Sequence, residues 1–261
     1  MSFTSVYAGN FKLLHPHRAI YDISLVKAET RSGIKDIDGR IVYQLNGSQC
    51  EGISLQFRFV ANIQTAREEY ITDQRTATYE SGDGEEFSFQ TNSYVNEVAD
   101  QLVSGFANQE EESIKLSLTG KTPKKLELEK AIFPSSHITD ILEAASEGKT
   151  FLNHMIFDGS GEGDEVFKTS TVIGKPKLFD EIQVKEGAEI YNKILNKKAW
   201  PINISYFETK FDNSSEGLPV YEVSMIIHED GVTREMTMRY PDYTLKAALK
   251  AIEYFKKDGC E

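Results

Sequence analysis

Across most of its length the sequence returns to one pattern, an apolar residue at every second position. Leu55, Phe57 and Phe59 alternate with Gln56 and Arg58, while Tyr221, Val223, Met225 and Ile227 alternate with Glu222, Ser224, Ile226 and His228. A period of two sends successive side chains to opposite faces of an extended chain, so each run predicts a strand with one buried and one wetter face. Ile41 to Leu45, Ile202 to Tyr206, Met236 to Tyr240 and Tyr243 to Ala247 repeat the pattern, and these runs are rich in β-branched and aromatic residues. Between them stand Asp38-Gly39, Asn46-Gly47, Asp83-Gly84, Asp158-Gly159 and Asp230-Gly231. Such pairs tolerate positive φ, and each predicts a tight hairpin turn. Strands do not alternate with helices as βαβ units require, which argues against a parallel α/β fold. The expected class is mainly β and antiparallel.

One segment breaks the period. After Pro134, the residues Ile138, Ile141, Leu142 and Ala145 fall at i, i+3, i+4 and i+7, which is one face of a helix. Ser135 or Ser136 is expected to cap its start and Gly148 to end it in a left-handed conformation. A lone helix among strands is expected to plug or brace the sheet. The charged stretch 176 to 198 reads as an excursion, partly helical around Ala188 to Leu195. Strands of one character on both sides of it favour a single domain over residues 17–261, preceded by an N-terminal extension, 1–16.

Composition narrows the function. Phe 15, Tyr 12 and 39% hydrophobic residues are enough to build a core, and no apolar run reaches the length of a membrane-spanning helix. With 41 acidic and 29 basic residues the formal charge is −12. That balance argues against a nucleic-acid binder, which needs clustered Lys and Arg, and against unspecific attachment to anionic lipid.

Chemical motifs are sparse. His15-Pro16-His17 could offer two imidazoles, but no nearby Cys, Asp or Glu completes a zinc spacing, so a structural role is expected and no metal. His137 and His154 read as surface or packing residues. Asp158 to Asp164 places oxygen ligands as a calcium loop would, yet position twelve is Thr169 in place of a bidentate Glu, which leaves a solvated acidic hairpin. No nucleophile elbow, His-Glu-x-x-His helix or phosphate loop occurs, so no catalytic residue and no cofactor are assigned. Asn46, Asn203 and Asn213 stand in Asn-x-Ser sequons, which matter only in a eukaryotic secreted chain.

Cys50 and Cys260 are the only cysteines. Spacing alone leaves a disulfide and two free thiols equally open. The opening Met1 to Ala8 lacks the basic and apolar regions of a secretory leader, so the residues lead to the expectation of either a cytosolic chain or an exported one already trimmed.

A set of blocks ordered along nearly the whole chain then resembles a known family. His17-Arg18-Ala19-Ile20-Tyr21-Asp22, Gly39-Arg40-Ile41-Val42-Tyr43, Gly47-Ser48-Gln49-Cys50-Glu51-Gly52 and Phe57-Arg58-Phe59-Val60 resemble the opening of the EipB-like family of alphaproteobacteria. Thr72-Asp73-Gln74, Ile156-Phe157-Asp158-Gly159, Trp200 to Phe207, Leu218 to Tyr221 and Gly231 to Arg234 continue the match in order. The resemblance implies a periplasmic protein of cell-envelope integrity, built as an antiparallel β-spiral or incompletely closed β-barrel with one short accessory helix. It implies that Cys50 and Cys260 form the family's disulfide pair, and it carries over no activity and no catalytic residues.

Three roles remain open on that basis. The leading expectation is a non-enzymatic monomer that supports the envelope through contacts with envelope or periplasmic proteins. It could carry a lipid or lipoprotein in the barrel interior, or it could hydrolyse peptidoglycan or another glycan. Arg40, Arg58, Trp200 and Tyr206 are the candidates for a cleft. For Arg58 the competing reading is a strand-face ion pair, and for Trp200 a core aromatic.

Overall fold

The computed structural model describes residues 11–119, 123–178, 194, 197–209 and 217–257. The strands are β1 (His17–Ala28), β2 (Ile34–Ser48), β3 (Gly52–Thr65), β4 (Glu69–Glu80), β5 (Glu86–Val95), β6 (Val98–Gln109), β7 (Ser113–Thr119) and β8 (Lys124–Glu129), followed by the helix α1 (Pro134–Ser146). After it come β9 (Phe151–Ile156), β10 (Phe167–Ile173), β11 (Lys177–Leu178), β12 (Lys198–Glu208), β13 (Tyr221–His228), β14 (Thr233–Arg239) and β15 (Tyr243–Tyr254). All fifteen belong to one sheet, in the order β8-β7-β6-β5-β4-β3-β2-β1-β15-β14-β13-β12-β10-β9, with β11 paired to β12.

The order has a simple cause. Short connections make β1 to β8 one antiparallel meander and β12 to β15 another, and pairing of β1 with β15 joins them near the two chain ends. The sheet curls without closing. Its edges β8 and β9 do not pair; instead Ile132, just beyond β8, makes a single parallel bridge to Ile156. Ile132 N–H donates to Met155 O at 2.9 Å and Phe157 N–H to Ile132 O at 3.0 Å. The result is mainly β and antiparallel, as the alternation implies, and an incompletely closed barrel, as the resemblance implies.

The alternating runs lie in strands, apart from Tyr240 just past β14, but the turn expectations divide. Asp83-Gly84 and Asp230-Gly231 do turn the chain, with φ of 72° and 85° at the glycines. Asp38-Gly39 and Asn46-Gly47 instead lie inside β2, and the chain reverses at residues 49–51. Gly39 is needed for closeness: a Cβ there would stand 2.1 Å from the Val60 carbonyl oxygen on β3.

The helix forms after Pro134 with the predicted face inward, Ile141, Leu142, Ala144 and Ala145 entering the core and Ile138 packing beside them. Gly148 takes φ 77° just past its end. The start is capped differently from the expectation. The N-cap position is Phe133, whose side chain accepts nothing, and Ser135 and Ser136 are already the second and third helical residues. Glu80, at the end of β4, supplies the missing acceptor, taking Ser135 N–H at 2.7 Å, Ser136 N–H at 3.0 Å and the Ser136 hydroxyl. A carboxylate at a helix N-terminus satisfies orphan donors and complements the helix dipole. Burial nonetheless pushes the Glu80 carboxyl up to about 6, against the pull of those hydrogen bonds.

Two separate apolar clusters line the interior. The larger joins β1 to β3, the helix and β10 to β15, and it includes Phe11 and Leu14 from before the first strand. The smaller contains Phe87, Phe89, Phe133 and Phe157 with Ile114, Leu116 and Val166. His137 is a packing residue, 2% exposed, edge-to-face with His154 at 5.3 Å, and burial lowers its pKa to about 3. Apart from Ile194, which is buried in the larger cluster, the stretch Ala188 to Leu195 lies outside the described residues.

Candidate binding cavity

Alternation on β3 sends Leu55, Phe57, Phe59, Ala61 and Ile63 to the inner face, where they meet Ile37, Ile41, Tyr43 and Leu45 from β2. The facing wall is Met225 and Ile227 of β13, Met236 and Met238 of β14 and Leu245 of β15. The two walls do not touch throughout. Between them lies a cavity of about 850 Å³, within the range of small-molecule sites.

The cavity has two unlike ends. Its floor is made by Leu14, His17, Pro134, Ser135, Ile138 and Gly231, so the start of α1 forms part of the seal. There Tyr21 OH donates to Thr233 O at 2.7 Å, and the His17 ring stacks on Tyr43 at 5.5 Å. Asp230 accepts from Tyr254 OH at 2.7 Å, from Val232 N–H at 3.2 Å and from Lys197. Burial raises its pKa, but the Lys197 and Tyr254 hydrogen bonds, the Lys197 charge and the Val232 N–H together lower it by more, and the carboxyl ends below the usual aspartate value.

The mouth is at the opposite end, where Gln74, Asp100 and Ser160 reach solvent beside Ser93, Tyr94 and Asp158. One side of it is an aromatic band across successive strands. Phe167 meets Tyr206 at 6.4 Å, Tyr206 meets Tyr221 at 5.5 Å, and Tyr221 to Tyr240 and Tyr240 to Tyr243 are each 4.8 Å between centroids. Burial pushes the Tyr206 and Tyr221 hydroxyls well above the usual phenol value and Tyr243 up to about 12. The band is therefore uncharged at any physiological pH, with apolar faces and a few hydroxyls.

Of the cleft candidates, only Tyr206 lines this cavity. Period two explains the positions of the arginines. Arg58 lies between Phe57 and Phe59, so it points outward, where it pairs with Asp73 at 2.8 Å. Arg40 is likewise on the outer face, 3.0 Å from Asp22. Trp200 is 4% exposed and belongs to the core. Tyr43, Tyr221, Tyr240 and Tyr243 escaped sequence reasoning, although a high tyrosine count concentrated at strand ends was the available signal.

The acidic loop connects the antiparallel pair β9 and β10 with residues 160–162 exposed, as expected of a hairpin, but it is not solvated throughout. Gly159 and Gly163 are buried with φ of 70° and 80°, and a Cβ at Gly159 would come within 2.5 Å of the Phe89 ring. The loop packs into the second cluster, and glycine is what lets it. Cys50 lies in the exposed turn between β2 and β3 and is not a free thiol. Cys260 lies outside the described residues. Among the described residues no helix is long and apolar enough to cross a membrane.

Comparison with known proteins agrees over nearly the whole chain. The EipB-like family model matches residues 8–256. The cell envelope integrity protein EipB of Brucella abortus (strain 2308) is 32% identical over 252 residues, which cover 95% of this chain and 88% of that protein. The crystal structure of a beta-barrel-like protein of a domain of unknown function, also from Brucella abortus, superposes with a TM-score of 0.88 at 32% identity, covering 93% of this chain and 99% of the other.

Proposed function

The chain belongs to the EipB-like family, and from that premise we propose that it supports the integrity of the cell envelope by holding an apolar chain, a lipid or the acyl part of a lipoprotein, in its interior. The observation that carries this is the cavity of about 850 Å³ walled by buried and half-buried aliphatic, aromatic and methionine side chains, Leu55, Phe57, Phe59, Met225 and Met236 among the half-buried ones. Leaving such side chains without partners forgoes both dispersion contacts and burial, so an empty apolar space of this size is a standing cost unless something fills it. Methionines suit a variable occupant, because their unbranched side chains adapt.

On this reading the protein is a non-enzymatic carrier or sensor in the periplasm, acting as a monomer, with Cys50 and Cys260 disulfide-bonded. Geometry supports the pairing: Leu45, near the Cys50 turn, and Tyr254, at the end of the last strand, both pair with His17. The bridge would tie the end of the chain to the β2–β3 hairpin. Protein contacts remain part of the role, since a carrier must load and unload.

A complementation test decides the matter. In a strain lacking the gene and sensitised to detergent, the wild-type protein should restore resistance and Leu55→Trp, which fills the cavity, should not, at equal abundance and folding. Full rescue by Leu55→Trp would overturn the proposal.

A further inference from the structure

We propose that the mouth of the cavity selects an apolar chain whose polar end is cationic, an amine or quaternary ammonium group, over one that ends in a carboxylate. This rests on the reading of the cavity as a ligand site and adds the chemistry of the ligand's head.

Among the described residues that line the cavity there is no Lys or Arg, whereas four are aspartates: Asp73, Asp100, Asp158 and Asp230. Two of these are already neutralised. Asp73 is held by Arg58 at 2.8 Å and Arg75 at 2.7 Å, and Asp230, at the floor, by Lys197. Asp100 and Asp158 have no cation among the described ion pairs, and both stand at the mouth. Asp158 accepts Ser160 N–H at 2.9 Å through one oxygen. Its charge acts on the Tyr206 hydroxyl, adding to burial in raising it, so this carboxylate adjoins the aromatic band.

The two features reinforce one another. Aromatic faces attract cations through the ring quadrupole, and quaternary ammonium groups are held in this way without needing hydrogen-bond acceptors. A chain entering tail first would leave its head among Tyr206, Tyr221, Asp100 and Asp158. A cationic head there gains two carboxylates and several ring faces, while a carboxylate head meets like charge with no counter-ion to offset it.

Titration calorimetry below micelle concentrations, with dodecyltrimethylammonium, dodecyl maltoside and dodecanoate at neutral pH and low salt, tests the idea. The expected order is cation, then neutral, then anion, with the cation binding about tenfold more tightly than the anion. Asp100→Asn with Asp158→Asn should bring the three together without lowering the melting temperature, because both changes are at the mouth. Equal affinity for all three heads, or a preference for dodecanoate, would overturn the selectivity and leave the cavity reading standing. Failure of all three to bind would remove the cavity reading and this proposal with it. Because the chain carries −12, surface attraction must be separated: a cation preference that survives Leu55→Trp would also overturn the proposal.

Discussion

Strand β3 and strand β5 carry the same alternation of large apolar and polar residues, yet their inner faces meet opposite fates. On β5, Phe87 and Phe89 are almost wholly buried, stacking at 5.0 Å on Phe133 and edge-to-face at 5.7 Å with Phe157. On β3, Leu55, Phe57 and Phe59 are only half-buried and border open space. The difference lies in what the connections bring. The segment after β8 and the glycine loop after β9 fold back over β5 and β6, and the chain fills that part of the spiral with itself. No described segment folds back between β3 and β13. The filled half is therefore close-packed, and the unfilled half leaves the space that the proposed ligand would take.

Core substitutions should break this comparison most sharply. Phe133→Ala, at 0% exposure in the filled half, should cost about 3–5 kcal/mol in denaturant unfolding, because close packing leaves a cavity that cannot collapse. A loss near 1 kcal/mol would mean that this half is as loosely packed as the other.

Glu80 joins the halves, pairing across from Phe87 while capping the helix that seals the cavity floor. Glu80→Gln offers one acceptor oxygen and an N–H₂ group to a site of donors, so it should cost about 1–3 kcal/mol. The native carboxyl, at about 6, holds its proton more tightly than in the unfolded chain. Its contribution is full below the ordinary glutamate value and is lost as pH rises through about 6, so the penalty of Glu80→Gln should shrink by about 1–2 kcal/mol between acid and neutral pH. Unfolding of both proteins across that range measures it, and a penalty that grows with pH would contradict the assignment.

Phe57→Ala should cost only about 1–2 kcal/mol, less than half of Phe133→Ala, since a side chain bordering empty space has already forgone part of its contacts. It should also widen the cavity and shift affinity toward bulkier chains. Smallest of all, Arg40→Ala removes an exposed ion pair to Asp22 and should change stability by less than about 1 kcal/mol. An Arg40→Ala effect on ligand affinity would show that the outer face takes part in binding.

Much of the fold was legible because period two and period 3.6 are properties of neighbouring residues. The strands around Leu55 and Tyr221 and the face Ile138, Ile141, Leu142 and Ala145 follow from spacing alone. The hairpin pairs were ambiguous because Asp-Gly and Asn-Gly tolerate positive φ but do not demand a turn. In Asp38-Gly39 the glycine answers to the approach of the Val60 carbonyl, a contact between strands that spacing does not encode. The cap on α1 was hidden for a similar reason, since Glu80 is remote in sequence from Ser135. The candidate site was the least legible part. Arg58 forms the strand-face ion pair that stood as its competing reading, with Asp73, and its place between Phe57 and Phe59 already assigned it to the outer face.

By itself, the sequence determined the strand class, the one helix, the direction of nearly every side chain along each strand and membership of the EipB-like family. These are local or cumulative properties, set by alternation and by ordered blocks. Only the tertiary structure decided which inner faces meet chain and which meet space. That depends on where long connections return, and the deciding contacts, Gly159 on Phe89, Glu80 on α1 and Tyr206 beside Tyr221, join residues from separate strands and loops.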